Sequence, residues 1–503
     1  MNKKLGRIPA ALTVGLLLLS ACGTRASDTQ IAAEAGGSPT TLSPAVLNQI
    51  KEAAAAGAAS ALGSAGGAAA AGPAAAAPAP ASGGVAPAAG TATGTGAAGA
   101  PAAGAPGAAT KAGNNNKVTS QSAAAPAAGS AATCTKPGTP VNVGQVGTFS
   151  GVTGPAWTNG RTAVAVWAKD INARGGLACH PVQIFFGDDG GDPARAAALV
   201  GQLSKDDHVV AFVGGHLDLS IAGFLQAIET AKVPAVGGDL IAQEWYGQSA
   251  YMFPQGASFD DQAIGIMKQN LAAGKTKVGL LYCVEVRACT YANKQSATLA
   301  KAAGVQIVYT SAISLTQTDF TAQCQSAKNA GADQLLLGMD GTAMARVARS
   351  CAAINYKPIL GGFGGTISPG QATDPTLRQF NLATTSGTAP WTETSTPGLK
   401  AYHDALAQFA PGEQTSGSSV QMWTAAKLLE AAVNQLGPAA VNETLTPALV
   451  MQGLHKIRNE SLGGLTTGLT FTSGLPKSTG CVFRELLTTA GWSAPGGVKP
   501  FCN

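Results

Sequence analysis

The chain has 503 residues, of which 65 are glycine and only 12% are charged. This length allows two to four domains, but the abundant glycine and an alanine-rich front mean that part of the chain lies outside any packed core. The formal charge of +5 is small for the length and the Lys and Arg residues are not clustered, so we expect no nucleic-acid partner.

The N-terminus has the pattern of a secretory signal. A basic segment around Lys3 and Lys4 precedes an apolar run over 10–19, which is too short for a permanent membrane span. The run ends in Leu-Ser-Ala-Cys, which resembles the lipobox of bacterial lipoproteins. The resemblance implies a signal peptide over 1–21 and a lipidated Cys22 that anchors the mature chain to the outer face of a bacterial cell membrane. An ordinary secretory signal cut elsewhere is the alternative.

Residues 22–140 are predicted to be a disordered tether that starts at the lipidated cysteine. The segment consists mainly of Ala, Gly, Pro and Ser and has almost no large apolar side chains. It therefore cannot bury enough apolar surface to offset the loss of chain entropy. As a flexible coil it would span on the order of 50–65 Å.

The globular part opens with a strand, a loop and a helix. Alternating valines from Val141 predict the strand, which runs into a loop of Gly, Ser and Thr residues. Pro155 suits the first turn of a helix, whose apolar stripe ends near Ile171 and is followed by Gly175 and Gly176. A loop of this kind presents backbone N–H groups at a helix N-terminus, which favours binding of a carboxylate or another polar ligand group.

The same pattern then repeats. Strands are predicted over 182–186, 209–213, 233–236, 277–282, 305–309, 334–337, 469–471 and 482–487. Helices are predicted over 194–203, 288–303, 319–330, 343–353, 397–409, 418–436 and 447–457, and a further helix ends at 231. This alternation indicates the α/β class with parallel sheets, and the restart near residue 277 indicates two lobes.

Nine cysteines are present, and eight remain if Cys22 is lipidated. An even number fits an exported, disulfide-bonded protein. Many pairings are possible, of which we favour the pairing of neighbours: Cys134–Cys179, Cys283–Cys289, Cys324–Cys351 and Cys481–Cys502. Free thiols in the core are the alternative. Zinc is disfavoured because no Cys-x-x-Cys pair and no cluster of histidines accompanies the cysteines.

Several short motifs follow one another in a family-specific order. They are Gly-Thr-Phe-Ser-Gly at 147–151, Ile-Asn-Ala-Arg-Gly-Gly at 171–176, the Asp188-Asp189 turn, Val-Pro-Ala-Val at 233–236, Gly-Gly-Leu at 463–465 and Leu-Thr-Phe-Thr at 469–472. From residue 141 to the C-terminus the chain thereby resembles the type I periplasmic binding proteins. Within them it is most similar to the branched-chain amino-acid (Leu/Ile/Val) binding family of ABC transporters.

The resemblance implies two Rossmann-like lobes with a three-stranded hinge. Lobe I would comprise 141–260 plus 388–443, and lobe II 261–387 plus 444–503. The implied function is that of an extracytoplasmic solute-binding lipoprotein without enzymatic activity or a cofactor. It would capture a small polar ligand, such as an amino acid, an amide or a small carboxylic acid, for an ABC permease in the membrane.

The resemblance also implies where the ligand lies. In this family the small-residue loops of the first lobe bind the ligand carboxylate through backbone N–H and hydroxyl groups. The first-lobe candidates are Phe149, Ser150, His216, Leu217, Asp218, Ser220, Gly238 and Asp239. The second-lobe candidates are Tyr282, Glu285, Tyr291, Asp340 and Phe363. For the aromatic residues the alternative is core packing, and for the acids it is capping of a turn.

One departure from the family pattern concerns the ligand. Amino-acid binders hold the α-ammonium group with an acidic residue in a late loop of the second lobe, where this chain has Gly-Gly-Phe-Gly-Gly at 361–365. Glu285 and Asp340 are the available substitutes. The departure leaves amides, urea and aromatic acids, which relatives bind, as alternatives to an α-amino acid.

No catalytic motif supports an enzyme. The chain has neither His-Glu-x-x-His nor Gly-x-Ser-x-Gly. Gly274-Lys275-Thr276 lacks the leading glycine of a P-loop and precedes a strand instead of following one. Two non-enzymatic alternatives to transport stay open. One is a ligand-sensing or adaptor lipoprotein of the same fold, and the other is a ligand-free descendant whose cleft is filled by its own side chains.

Overall fold

A computed structural model describes Cys134 and residues 137–503. The predicted signal peptide, the lipidation site at Cys22 and nearly all of the tether lie outside the described residues. Within 137–503, no helix combines the length and the apolar character needed to cross a bilayer.

The described chain alternates strands with helices. The strands are β1 (Val141–Gly147), β2 (Val182–Asp188), β3 (Ala211–Gly215), β4 (Ala235–Gly238), β5 (Met252–Phe253), β6 (Lys277–Cys283), β7 (Gln306–Ile313), β8 (Gln334–Gly338), β9 (Ile359–Phe363), β10 (Leu382–Ser386), β11 (Cys481–Thr488), β12 (Gly491–Ser493) and β13 (Phe501–Cys502). The α-helices are α1 (Thr158–Ala173), α2 (Pro193–Lys205), α3 (Ile221–Ala231), α4 (Phe259–Ala272), α5 (Arg287–Ala303), α6 (Thr321–Asn329), α7 (Gly341–Ala353), α8 (Pro397–Phe409), α9 (Gly417–Asn434), α10 (Pro438–Asn442) and α11 (Pro447–Leu454).

Two sheets organise these elements, as the sequence predicts. The first is parallel, with the strand order β2-β1-β3-β4-β5. The second repeats this order as β7-β6-β8-β9-β10 and is extended by β11 and β12, which pair antiparallel, while β13 pairs with β11. In each sheet the direction in which the chain adds strands reverses once. This switch lies between β1 and β3 in the first sheet and between β6 and β8 in the second. In open α/β sheets, ligands bind at the carboxyl ends of the strands at such a switch point.

The opening unit differs from its prediction in one detail. Helix α1 begins at Thr158, and Pro155 lies in a separate 3-10 turn over Gly154–Ala156. The apolar stripe of α1 is buried, and the helix ends where Gly175 and Gly176 adopt φ angles of 104° and 90°. Glycine has no Cβ to oppose these angles, so it stops the helix here as expected.

Three connections between the sheets run side by side. Gly256 follows β5 and Gly387 follows β10, and a Cβ on Gly256 would lie 2.2 Å from the Gly387 carbonyl oxygen. Ala389 donates its N–H to the Leu465 carbonyl at 2.8 Å. Thr466 Oγ1 donates to the Gly387 carbonyl at 3.4 Å. The chain therefore passes between the two sheets within one narrow bundle of backbone.

The segment before the last connection lies with the first sheet. Helix α11 packs against α9, which packs against α1, β3 and β4. Phe471 contacts Phe253 of β5 edge-on, with ring centroids 5.2 Å apart. The sequence analysis assigned α11 and Phe471 to the second lobe.

The predicted strand over 469–471 is wrong, because only the single pair Glu460 and Leu469 forms an antiparallel bridge there.

Four disulfides link neighbours in the sequence. They are Cys134–Cys179, Cys283–Cys289, Cys324–Cys351 and Cys481–Cys502. These are the pairs favoured above. Cys283 and Cys289 join the end of β6 to the start of α5, at the switch point of the second sheet.

Candidate functional site

A cleft lies between the two sheets, and about 480 Å³ of space not filled by atoms, part of it open to solvent, lies within it. The loops after β1, β3 and β4 form one side of it. The start of α4 and the loops after β6, β7, β8 and β9 form the other, so both switch points face the same space. The lining residues are Thr153, Ala156, Trp157, Asp218, Ile241, Phe259, Cys283, Val286, Ala288, Cys289, Leu315, Gly338, Met339, Asp340, Phe363 and Thr366.

Most of this lining is apolar, and aromatic rings form a large part of it. Phe259 and Phe363 stack with ring centroids 4.7 Å apart and an interplanar angle of 24°. Trp157 faces the cleft from the first lobe and is only 2% exposed. The walls therefore suit a ligand with an apolar body.

Two carboxylates line the cleft, and its described lining includes no Lys, Arg or His. Asp218 is 4% exposed, and its Oδ1 accepts hydrogen bonds from the Leu219 N–H at 3.1 Å and from Thr153 Oγ1 at 3.5 Å. Burial and the negative charge of Asp239 raise the pKa of Asp218 to about 7. The charge of this buried group is thus sensitive to pH near neutrality.

Asp340 lies on the opposite side of the cleft and caps helix α7. Its Oδ1 accepts hydrogen bonds from the N–H groups of Thr342 at 2.8 Å and Ala343 at 3.2 Å. The capping role that the sequence offered as the alternative is present, and the residue lines the cleft as well.

The predicted anion-binding loop holds one of the chain's own carboxylates. The N–H groups of Phe149 and Ser150 donate to Asp188 Oδ1 at 3.0 Å and 3.3 Å, and the Gly190 N–H donates to the same oxygen at 3.0 Å. Burial acts to raise the pKa of Asp188, but the hydrogen bonds from Ser150, Gly190 and Phe149 outweigh it and lower the pKa. These donors are therefore already used.

Ser220 also bonds to a carboxylate of the chain. Its Oγ donates to Asp189 Oδ2 at 2.7 Å, and Thr148 Oγ1 donates to Asp189 Oδ1 at 2.8 Å. Asp189 is fully buried, and the Gly191 N–H donates to it at 2.8 Å. The hydroxyl proton of Ser220 is thus held within the first lobe.

Asp239 joins the ends of β3 and β4. Its Oδ2 accepts the Leu217 N–H at 2.9 Å, and its Oδ1 accepts Trp245 Nε1 at 2.9 Å. Burial raises the pKa of Asp239 to about 6. Gly238 donates its N–H to Gln255 Oε1 at 3.0 Å. None of Leu217, Gly238 and Asp239 lines the cleft.

His216 lies beneath the cleft wall. Its ring stacks on Trp157, with centroids 4.4 Å apart and planes 17° from parallel. Neither ring nitrogen has a hydrogen-bond partner among the described residues, and burial lowers the pKa to about 3. His216 is therefore neutral and supports Trp157 by packing.

The remaining second-lobe candidates bond within their own lobe or pack on its core. Glu285 Oε1 accepts hydrogen bonds from Ser314 Oγ at 2.6 Å and from the Leu315 N–H at 3.0 Å. The Tyr291 hydroxyl donates to Asp260 Oδ2 at 3.0 Å, and its ring lies edge-on to Phe259. Tyr282 is half-buried on β6. Of the candidate ligand-binding residues, the structure brings together Asp218, Asp340 and Phe363 at the cleft.

Several cleft residues were missed by the sequence analysis. They include Thr153, Trp157, Ile241, Phe259, Leu315, Met339 and Thr366. Trp157 carried a usable signal, because it is a large aromatic residue in the loop that leads into the first helix. Phe259 carried one as well, because Ser258 before it and the acidic residues after it are typical of a helix start, although this helix was not predicted. Among residues 137–503, no group of His, Cys, Asp and Glu side chains is placed to hold a metal ion.

Comparison with known proteins identifies the family. A family model described as periplasmic binding protein matches residues 140–472. The chain belongs to this family. The resemblance found in the sequence is therefore confirmed, together with the α/β fold of two lobes. No curated protein sequence matches the chain significantly.

Solved structures of periplasmic binding proteins share the fold at low sequence identity. A fatty acid ABC transporter substrate-binding protein from Thermomonospora curvata is 19% identical, with a TM-score of 0.64 over 73% of this chain and 94% of that one. A branched-chain amino acid ABC transporter protein from Thermus thermophilus with bound valine is 16% identical, with a TM-score of 0.64 over 73% and 97%. A solute-binding protein from R. palustris in complex with benzoate is 13% identical, with a TM-score of 0.59 over 72% and 98%.

Proposed function

We propose that the protein is an extracytoplasmic solute-binding lipoprotein that captures a small ligand between its two lobes for an ABC importer. The observation that carries this proposal is the cleft itself. It is lined from both lobes, at the switch point of each sheet. The proposal includes lipid attachment at Cys22.

The proposed mechanism is closure of the lobes around the ligand. A ligand that contacts Trp157 on one side and Phe363 on the other gains interactions from both lobes only when they are close together. It therefore shifts the population toward the closed form, which the permease would recognise. Closure would bend the three connections near Gly256, Gly387 and Leu465. No catalytic step and no cofactor are part of this proposal.

The ligand classes implied by the resemblance are amino acids, amides and small carboxylic acids. The structures of similar fold are named for a fatty acid, for valine and for benzoate. This fold therefore accommodates ligands of different charge and size, and the ligand of this chain is better inferred from the residues of its own cleft.

A thermal-shift screen of the full chain tests ligand capture. The panel contains amino acids, amides, urea, carboxylic acids and amines, because a ligand that binds only the native state raises the melting temperature as its concentration rises. Phe363→Leu alters the cleft wall and should weaken the shift. Phe186→Leu is the matched control, since Phe186 lies partly exposed on β2, outside the cleft. A panel without any shift, or a shift that Phe363→Leu leaves unchanged, contradicts the proposal.

Uptake measurements separate transport from sensing. Cells that lack the protein should lose high-affinity uptake of the ligand found in the screen, and expression of the full chain should restore it. If uptake is unaffected although the ligand binds, the sensor or adaptor alternative replaces the transport proposal.

A further inference from the structure

The electrostatic character of the cleft is acidic. Asp218 and Asp340 line it from opposite sides, and its described lining contains no basic side chain. Two more buried carboxylates, Asp189 and Asp239, lie close enough to Asp218 to raise its pKa by charge repulsion. An anionic ligand would add another negative charge to this group, whereas a cation would be attracted to it.

Several donors of the first-lobe loops are already used within the chain. Asp188 accepts the N–H groups of Phe149 and Ser150, and Asp239 accepts that of Leu217. The hydroxyl of Ser220 is bound to Asp189. A ligand carboxylate therefore could not use these four groups to replace the water that it would lose on binding.

Asp218 presents a carboxylate to a bound ligand. Two of its hydrogen bonds end on Oδ1, and the Trp157 side chain is a further donor to the carboxylate. The residue lines the cleft and is 4% exposed, so an ammonium group of a bound ligand can pair with its charge. A buried carboxylate is costly without a charged partner, which gives such a ligand a specific advantage.

Aromatic faces accompany this carboxylate. Trp157 lines the cleft on the same lobe as Asp218, and the stacked pair of Phe259 and Phe363 lies on the other. Aromatic faces attract cations and also bury apolar groups. A carboxylate beside aromatic rings is therefore complementary to a cation that is attached to an apolar body.

We propose that the ligand is an organic ammonium ion, namely a protonated primary amine on an apolar or aromatic body and without a carboxylate. Its N–H groups bind the carboxylate of Asp218, and its body packs among Trp157, Phe259 and Phe363. This inference rests on the proposed function, because it names the ligand class of the same cleft.

Titration calorimetry of the full chain with matched compounds tests this inference. The aromatic set is 2-phenylethylamine, 3-phenylpropanoate, 3-phenylpropanamide and phenylalanine. The aliphatic set is 3-methylbutylamine, 4-methylpentanoate, 4-methylpentanamide and leucine. Within each set the body is constant and the polar group changes. In at least one set we expect the amine to bind at least tenfold more tightly than the carboxylate, the amide and the amino acid.

Variants connect that preference to Asp218. Asp218→Asn keeps the size of the side chain and removes its charge, so amine affinity should fall at least tenfold. Asp404→Asn is the control, since Asp404 is exposed on α8 and pairs with Lys400 outside the cleft. It should leave the affinity unchanged. The melting curve of each variant shows whether it is folded at the temperature of the titration.

The outcomes distinguish this inference from the proposed function. If in neither set the amine binds at least tenfold more tightly than the other three compounds, the inference is overturned, and ligand capture stands if any compound binds here or in the wider screen. If a preferred amine binds equally well to Asp218→Asn and to the unaltered chain, the inference is also overturned. If no compound of either set binds and the wider screen is negative as well, both proposals fail.

Discussion

The imidazole of His216 lies flat against the indole of Trp157, with the ring centroids 4.4 Å apart. Trp157 lines the cleft, whereas His216 is fully buried beneath it and its ring nitrogens make no hydrogen bond within the described chain. The imidazole is neutral because burial lowers its pKa to about 3. His216, which the sequence suggested as a ligand contact, therefore does not line the cleft. It packs against Trp157 and fixes the plane of the indole ring that forms the wall.

Gly160 makes room for this stack. A Cβ at that position of α1 would lie 2.3 Å from His216 Nε2 and 2.9 Å from Met422 Cγ. Gly160→Ala should therefore lower the free energy of unfolding by about 1–3 kcal/mol, although alanine favours a helix. Chemical denaturation measures the change.

Gly201→Ala is the control for that substitution. Gly201 lies in α2, and a Cβ added there would meet nothing within 4 Å, so alanine should stabilise the protein by up to about 1 kcal/mol. Combining Gly160→Ala with His216→Ala should relieve the clash, and the double variant should then lose less stability than the two single losses add up to. Strict additivity would show that His216 does not oppose a Cβ at position 160.

Asp218 should make stability depend on pH. Because its pKa is raised from 3.8 to about 7, the folded protein holds a proton that the unfolded chain has released between these values. The stability that this proton contributes is complete below pH 3.8 and is lost as the pH rises through about 7.

Asp218→Asn removes that dependence. Between pH 5 and pH 8 the free energy of unfolding of the unaltered chain should fall by about 2.5 kcal/mol more than that of the variant. Asp239, whose pKa is raised to about 6, contributes in the same direction in both proteins and cancels in the comparison. Denaturant titrations at the two pH values measure this difference. If the free energy of unfolding changes equally in both proteins, the pH dependence does not come from Asp218.

The Cys283–Cys289 disulfide should matter more for the cleft than for stability. It closes a loop with a sequence separation of 6, whereas Cys481–Cys502 has a separation of 21 and lies outside the cleft. In the chain-entropy model the shorter loop contributes about 2 kcal/mol and the longer one about 3 kcal/mol. Replacing both cysteines of each pair by alanine tests the distinction.

The two double variants should rank in opposite order for loss of melting temperature and for loss of ligand affinity. Removal of Cys481–Cys502 should lower the melting temperature more and leave ligand affinity unchanged. Removal of Cys283–Cys289 should weaken binding at least severalfold, because both cysteines line the cleft. Equal affinity in the two variants would exclude a role of this disulfide in the site.

The repeated strands and helices were predictable because each has its own local pattern. Lys277–Cys283 is a run of apolar residues, and Pro397–Phe409 has a proline at its first position and an apolar stripe. Helix Phe259–Ala272 was missed, although Ser258 caps it by accepting the Asp261 N–H. Its buried residues Phe259, Ala263, Ile266 and Met267 have helical spacing, so the sequence carried a signal for this helix that was overlooked.

The cleft was less predictable than the fold. Ser150 and Ser220 have the residue types and the positions of ligand donors, and only the structure shows that Asp188 and Asp189 occupy them. These carboxylates come from the last residue of β2 and the turn after it, whereas the donors follow β1 and β3. Sequence patterns describe neighbours along the chain, so they do not reveal contacts made between such loops.

Ligand binding should bring the two lobes closer together. Val152 and Val284 are exposed and directly adjoin Thr153 and Cys283, which line the cleft from the two lobes. Both valines can be replaced by p-acetylphenylalanine carrying a spin label, which leaves the native cysteines untouched. Pulsed electron paramagnetic resonance then measures the distance between the labels with and without saturating ligand. We expect ligand to shorten the mean distance and narrow its distribution, whereas an unchanged distribution at saturation would show that the lobes do not close around the ligand.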